Sequence, residues 1–125
     1  MILLLDAHAL LWALADDPML RPDAREAVAS PANDVLVSAA IVWEIVIKQA
    51  LGKLDAPDDL VEAIHATAFI GLPITLADAA TAARLPPHHR DPFDRMLVAQ
   101  AGRVGAIIVT RDPAFAAYGV HVLTA

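Results

Sequence analysis

Short uninterrupted apolar runs alternate along the chain with longer stretches in which apolar positions recur every three or four residues. Ile2-Leu3-Leu4-Leu5, Val35-Leu36-Val37 and Ala106-Ile107-Ile108-Val109 lack polar alternation, the pattern of strands buried on both faces. A weaker strand is expected within 69–74, around Gly71 and Pro73, and a last one at 120–123. Between them the helical spacing predicts helices over about residues 7–15, 22–29, 39–51, 58–68, 76–85 and 92–104. Their ends carry matching signals: Asp6 before the first, Pro22 in the first turn of the second, Ser38 and Gly52 around the third. Thr75 with Asp78 three residues on reads as a capping box, and Asp91-Pro92 opens the helix at 92–104. Strands alternating with helices predict an α/β chain with a parallel sheet covered on both faces.

In such a sheet, ligands gather outside the carboxyl ends of the strands, where the strand order reverses. Asp6 directly follows the first strand and Asp112 follows 106–109 by three residues, so both are expected on that edge. Each also has a plain capping role open to it, since Asp6 precedes a helix and Asp112 precedes Pro113. The same choice applies to Asp91 and Asp94, which fall at the N-cap and third position of the helix at 92–104. Glu44 is the one acid in the apolar stretch Ile41-Val42-Trp43-Glu44-Ile45-Val46-Ile47. It is either an exposed partner of Lys48 one turn on, or a carboxylate facing a cation, because an unpaired buried carboxylate is costly.

Composition narrows the chemistry. The 125 residues fit one domain, and no linker or low-complexity tract divides them. Hydrophobic residues make up 58% of the chain, yet no apolar run is long enough to span a bilayer, so the excess belongs to a packed core or to a surface that a partner covers. Met1 to Leu5 lacks the basic flank of a signal peptide, and the absence of cysteine fits a reducing cytoplasm. The net charge of −6 opposes non-specific nucleic-acid binding by the whole molecule, although five of the seven arginines fall in the last third of the chain, where Arg95 or Arg111 can hold a phosphate.

If Asp6, Glu44, Asp94 and Asp112 converge, their repulsion calls for a hard divalent cation with oxygen ligands, Mg²⁺ or Mn²⁺. Nothing suggests zinc: His88 and His89 are adjacent and are expected on a solvated turn after Pro86-Pro87, and His8 is expected to be a partly buried helix residue. There is no Gly-rich phosphate loop and no nucleophile elbow. Metal-assisted phosphodiester hydrolysis remains.

Four ordered segments carry a family resemblance: Asp6-Ala7-His8-Ala9-Leu10-Leu11-Trp12; Val37-Ser38-Ala39-Ala40 with Trp43-Glu44-Ile45; Leu85-Pro86-Pro87-His88-His89-Arg90-Asp91-Pro92-Phe93-Asp94-Arg95 with Ala99-Gln100-Ala101; and Val109-Thr110-Arg111-Asp112. Together they resemble PIN-domain proteins of the VapC toxin type from end to end. The resemblance implies a three-layer α/β/α fold with a sheet of order 3-2-1-4-5, Mg²⁺-dependent endoribonuclease activity, homodimerisation, possible higher toxin–antitoxin oligomers and neutralisation by a VapB-type antitoxin. It places Asp6, Glu44, Asp94 and Asp112 on the acidic metal positions and Thr110 on the hydroxyl position before the last acid. Asp91 is left as a cap or as outer support for the ligands. Ala7 and Ile41 stand where Thr and Ser are common, which removes hydroxyls but no ligand.

A different class of function is a non-catalytic interaction module that keeps the fold and binds a partner through apolar surface. A receiver domain is excluded by chemistry, since Asp6 has no acidic neighbour and the only lysines, Lys48 and Lys53, lie mid-chain.

Overall fold

A computed structural model describes residues 1–125. Its elements in chain order are β1 (Ile2–Leu5), α1 (Ala7–Leu14), α2 (Pro22–Ala29), β2 (Asp34–Ser38), α3 (Ala39–Ala50), α4 (Leu60–Ala66), β3 (Ile70–Leu72), α5 (Leu76–Arg84), α6 (Pro92–Val104), β4 (Ile107–Thr110) and β5 (Val122–Thr124). The strands form one parallel sheet in the order β3-β2-β1-β4-β5, with helices on both faces. The uninterrupted apolar run of β1 follows from its central place: Leu3, Leu4 and Leu5 are all fully buried, because either face of this strand meets core.

Expected boundaries hold within a residue for β1, β2, β4 and every helix but α4, and depart elsewhere for local reasons. The helix expected over 58–68 is confined to Leu60–Ala66, since Asp59 makes no side-chain cap and Ala68 turns left-handed at φ 60°. The weak strand keeps three residues, Ile70–Leu72, ending before Pro73, which lacks a backbone N–H for the ladder. The last strand moves to Val122–Thr124, pairing Thr124 with Thr110, because the chain first makes a 3₁₀ helix at Pro113–Tyr118 that the apolar pattern does not announce. At the other end of α6, Gly105 takes φ 72° to close the helix, a conformation that favours glycine. No helix is long and apolar enough to cross a membrane.

Two polar ties fix α6, the helix that carries Asp94. Arg103 meets the buried carboxylate of Asp78 on α5 through Nε at 2.7 Å and a second nitrogen at 2.9 Å, a two-pronged ion pair. Fully buried Gln100 donates to the carbonyl of Pro73, the residue after β3. The chain runs from β1 outward to β2 and β3, then returns to the other side of β1 for β4 and β5. The order therefore reverses between β1 and β4, and the ends of these two strands flank the crevice.

Candidate metal centre

The aspartates of the crevice are placed by backbone signals already legible in the chain. Asp6 leaves β1 as the N-cap of α1, with Oδ1 accepting from the Ala9 amide at 2.9 Å. Its Oδ2 accepts from the hydroxyl of buried Thr110 at 2.5 Å, and the same hydroxyl oxygen accepts from the Asp112 amide at 3.1 Å. Thr110, at the end of β4, thus ties the acid after β1 to the acid after β4. Asp112 caps the 3₁₀ helix through Ala114 at 2.9 Å. Asp91 caps α6 by accepting from Phe93 and Asp94 amides, while Asp94 itself is one turn inside and accepts no cap bond.

Asp6, Glu44, Asp94 and Asp112 line one cleft of about 390 Å³, together with Asp91, Ala7, His8, Lys48, Lys53 and Leu54. Glu44 keeps the partner expected of it but not the exposure. It does pair with Lys48, Nζ to Oε2 at 2.6 Å, but it is buried rather than exposed, and its Oε1 has no hydrogen-bond partner. A buried carboxylate oxygen without a donor calls for a ligand. The donor set is all carboxylate oxygen on several elements, the chemistry of a hard divalent cation, so the residues present fit Mg²⁺ or Mn²⁺.

The electrostatics separate the acids. Burial pushes the Asp94 carboxyl up to about 7, and the charges of Asp91, Glu44 and Asp6 add to the rise while His89 opposes it. Burial also raises Asp6, against the Thr110 hydroxyl that favours its anion. Asp112 moves the other way, held low by the Ala114 amide and then by His89. Carboxyls whose protons are pushed apart within one cleft make it the candidate site for chemistry.

Several expectations are corrected by the geometry. His89 does not decorate a solvated turn: its ring is largely buried on Phe115, and Nε2 lies 2.8 Å from Asp112 Oδ2 and 3.0 Å from Asp94 Oδ2. His89, Asp94 and Asp112 form a compact group of potential ligand atoms within 4.8 Å of one another. His8 is exposed at the rim, stacked on Trp12, rather than partly buried. Arg95 does not face a phosphate, because its guanidinium donates to the carbonyls of Ala83, Leu85, Pro86 and His89 and clamps that loop. Arg111 is similarly engaged with the Met19 and Ala125 carbonyls and covers the Trp12 ring, outside the cleft lining. Ile41 is fully buried in the core, so the hydroxyl position it lacks is filled by packing, while Ala7 does line the cleft.

Sequence reasoning missed the place of His89 and Lys53, and read Lys48 only as a partner of Glu44. The lysine signal was available: the chain has two, Lys48 and Lys53, and both line the cleft. The His89 signal was not, because it depends on how Arg95 and Tyr118 fold the loop back over the site.

Comparison with known proteins agrees with this architecture. By sequence, no curated protein matches the chain. Among solved structures, VapBC2 from Rickettsia felis, crystallised with a DNA fragment from its promoter, superposes with a TM-score of 0.71 at 14% identity, covering 98% of each chain. FitAB bound to the IR36 DNA fragment gives a TM-score of 0.59 at 21% identity over 98% of this chain and 94% of that one. FitAcB from Neisseria gonorrhoeae gives 0.59 at 20% identity over 99% and 97%. These likenesses are of fold; the family model for the PIN domain matches residues 3–120, nearly the whole chain, and with the sheet order found here the chain belongs to the PIN domain family.

Proposed function

We propose that this PIN-domain chain is a divalent-cation-dependent endoribonuclease, working as the toxin of a toxin–antitoxin pair. The observation that carries the reading is the convergence of Asp6, Glu44, Asp94 and Asp112 on the crevice at the strand reversal, with a buried Glu44 oxygen lacking any donor. Asp6, Glu44, Asp94 and Asp112 would hold Mg²⁺, with Mn²⁺ able to replace it. What the cation supplies when bound is activation of water and neutralisation of charge on the phosphodiester. The chain's own residues do the rest. Thr110 holds Asp6 Oδ2, Asp91 fixes the start of α6 and so the depth of Asp94, and Lys48 offsets one Glu44 oxygen.

Lys53 makes no ion pair and is exposed at the cleft, so it is the free cation that meets the substrate phosphate, the role first expected of Arg95 or Arg111. Lys53→Ala is expected to raise KM for RNA several-fold with little change in kcat, and steady-state kinetics check it. Exposed aromatic surface adjoins the acids in sequence: Trp43, beside Glu44, packs edge-on against Phe93, beside Asp94, and offers a stacking face for an unpaired base.

The similar structures VapBC2 and FitAB, each bound to DNA, support a cognate VapB-type antitoxin as partner. Apolar side chains left exposed on and just after α3, Trp43, Val46 and Leu51, suit a covered surface in a homodimer or a toxin–antitoxin assembly. The test is purified protein on RNA with Mg²⁺ or Mn²⁺, with and without EDTA, beside Asp6→Asn, with the product of a neighbouring small gene added. Cleavage is expected only with the cation and intact Asp6, and is expected to stop when the antitoxin binds. Cleavage that survives both chelation and Asp6→Asn would overturn the metal assignment, and an intact wild type that neither cleaves RNA nor binds Mn²⁺ would favour a non-catalytic module.

A further inference from the structure

We infer that His89 is a positioning residue of this site, whose Nε2–H draws the carboxylates of Asp94 and Asp112 together at the spacing a cation needs. This role rests on the cation-dependent reading of the cleft, and the hydrogen bonds around the ring carry it. The Asp91 amide donates to His89 Nδ1 at 3.2 Å, so Nδ1 is the bare acceptor and Nε2 carries the proton in the neutral ring. That single N–H faces two carboxylate oxygens, Asp112 Oδ2 at 2.8 Å and Asp94 Oδ2 at 3.0 Å. Two like charges brought this close repel, and a shared donor holds them in register.

The same proton argues against His89 as a ligand itself, because ligation through Nε2 needs a free lone pair there, and the Asp91 amide disfavours moving the proton to Nδ1. His89 therefore acts through the two acids. Both the ring and the backbone that carries it are held. It tilts against fully buried Phe115 at 5.6 Å between centroids. Its amide donates to Tyr118 Oη at 2.8 Å, and its carbonyl accepts from Arg95 at 3.2 Å. Tyr118 Oη in turn donates to the Pro86 carbonyl at 2.7 Å, closing the loop that carries the histidine. Groups that orient metal ligands from behind are held in this way, and their loss commonly weakens metal binding.

The experiment is calorimetric titration of Mn²⁺ into the wild type, His89→Phe and His89→Gln. Phe keeps a ring on Phe115 but has no donor; Gln carries an N–H of similar reach. His89→Phe is expected to lose about 10- to 100-fold in Mn²⁺ affinity, and His89→Gln to recover most of it. Equal binding by wild type and His89→Phe overturns the inference and leaves the cation site standing, as does a His89→Gln as weak as His89→Phe. A wild type that binds no Mn²⁺ overturns both. Long-range ¹H–¹⁵N spectra of metal-free wild type supply a measurement that needs no variant: Nε2 is expected to be protonated with Nδ1 bare, and the opposite tautomer overturns the inference.

Discussion

Asp94→Asn is expected to abolish cleavage and, in the metal-free protein, to raise stability at neutral and higher pH. The first effect follows from removing a carboxylate from the centre of the donor set, and the loss of Mn²⁺ affinity is expected to exceed the ~10- to 100-fold typical of supporting groups. The second follows from the direction of the proton equilibrium. In the folded chain the Asp94 carboxyl is pushed up to about 7 from 3.8, burial first, so the native state binds the proton more tightly than the unfolded chain. Between about pH 4 and pH 7 the unfolded state therefore binds fewer protons, and native stability falls as pH rises through that window. The penalty is complete above pH ~7 and is of order 4 kcal/mol at most, three pKa units at about 1.4 kcal/mol each. Asn carries no charge to bury. The gain of Asp94→Asn over wild type is thus expected to be larger at about pH 8 than at about pH 6, and urea unfolding of both proteins in EDTA measures it. A capping acid predicts the reverse, a loss on replacement by Asn at every pH at which the carboxylate is charged. Added Mn²⁺ is expected to stabilise wild type and to leave Asp94→Asn unchanged.

Arg95→Ala carries the next largest expected effect, and on stability before activity. The guanidinium gathers four carbonyls, at 3.3 Å from Ala83, 2.8 Å from Leu85, 3.1 Å from Pro86 and 3.2 Å from His89. Bonds to a charged donor contribute about 1.5–3 kcal/mol each when buried, but these carbonyls are near the surface and water takes some of them back, so a total of ~2–3 kcal/mol is expected. Because the clamp also holds the His89 carbonyl, Mn²⁺ affinity is expected to fall with it. Urea unfolding and Mn²⁺ titration together check this. A variant of wild-type stability and metal affinity, with only KM for RNA raised, would return Arg95 to the phosphate-binding role. Lysine is not an adequate replacement, since one ammonium cannot span four acceptors arranged around a planar fork.

How far the chain could be read depends on whether each feature is local. The start of α6 is local: Asp91 before Pro92, with Gly105 at the far end, delimits Pro92–Val104 without reference to any other element. The strands β1, β2 and β4 were equally legible, because burial on both faces leaves a short apolar run without polar alternation. The short edge strands were legible in place but not in extent, since the bounds of Ile70–Leu72 and Val122–Thr124 are set by the neighbour they pair with rather than by their own residues. The same division runs through the site. Asp6, Asp94 and Asp112 announce themselves through cap positions and strand ends. Glu44 did so only as an anomaly: the expected pair with Lys48 forms, but on a buried carboxylate whose other oxygen has no donor. His89 looked like a surface residue because its neighbours in sequence, Pro86, Pro87, His88 and Arg90, are exposed. What turns it inward comes from elsewhere in the chain, Tyr118 in the 3₁₀ helix and Arg95 inside α6.

The bond from Thr110 to Asp6 joins residues 104 positions apart, and it has a consequence for the order in which the molecule comes into being. A chain emerging from the ribosome can pair β1 with β2 early, but the far edge of β1 stays open until β4 is made. Until then the crevice lacks Thr110 and Asp112, and Asp6 has no hydroxyl to hold it. On the proposed reading the cleft is therefore complete only once β4 has been made, and a product terminated before residue 107 lacks it and carries a bare, apolar strand edge, a fragment suited to aggregation and to rapid proteolysis.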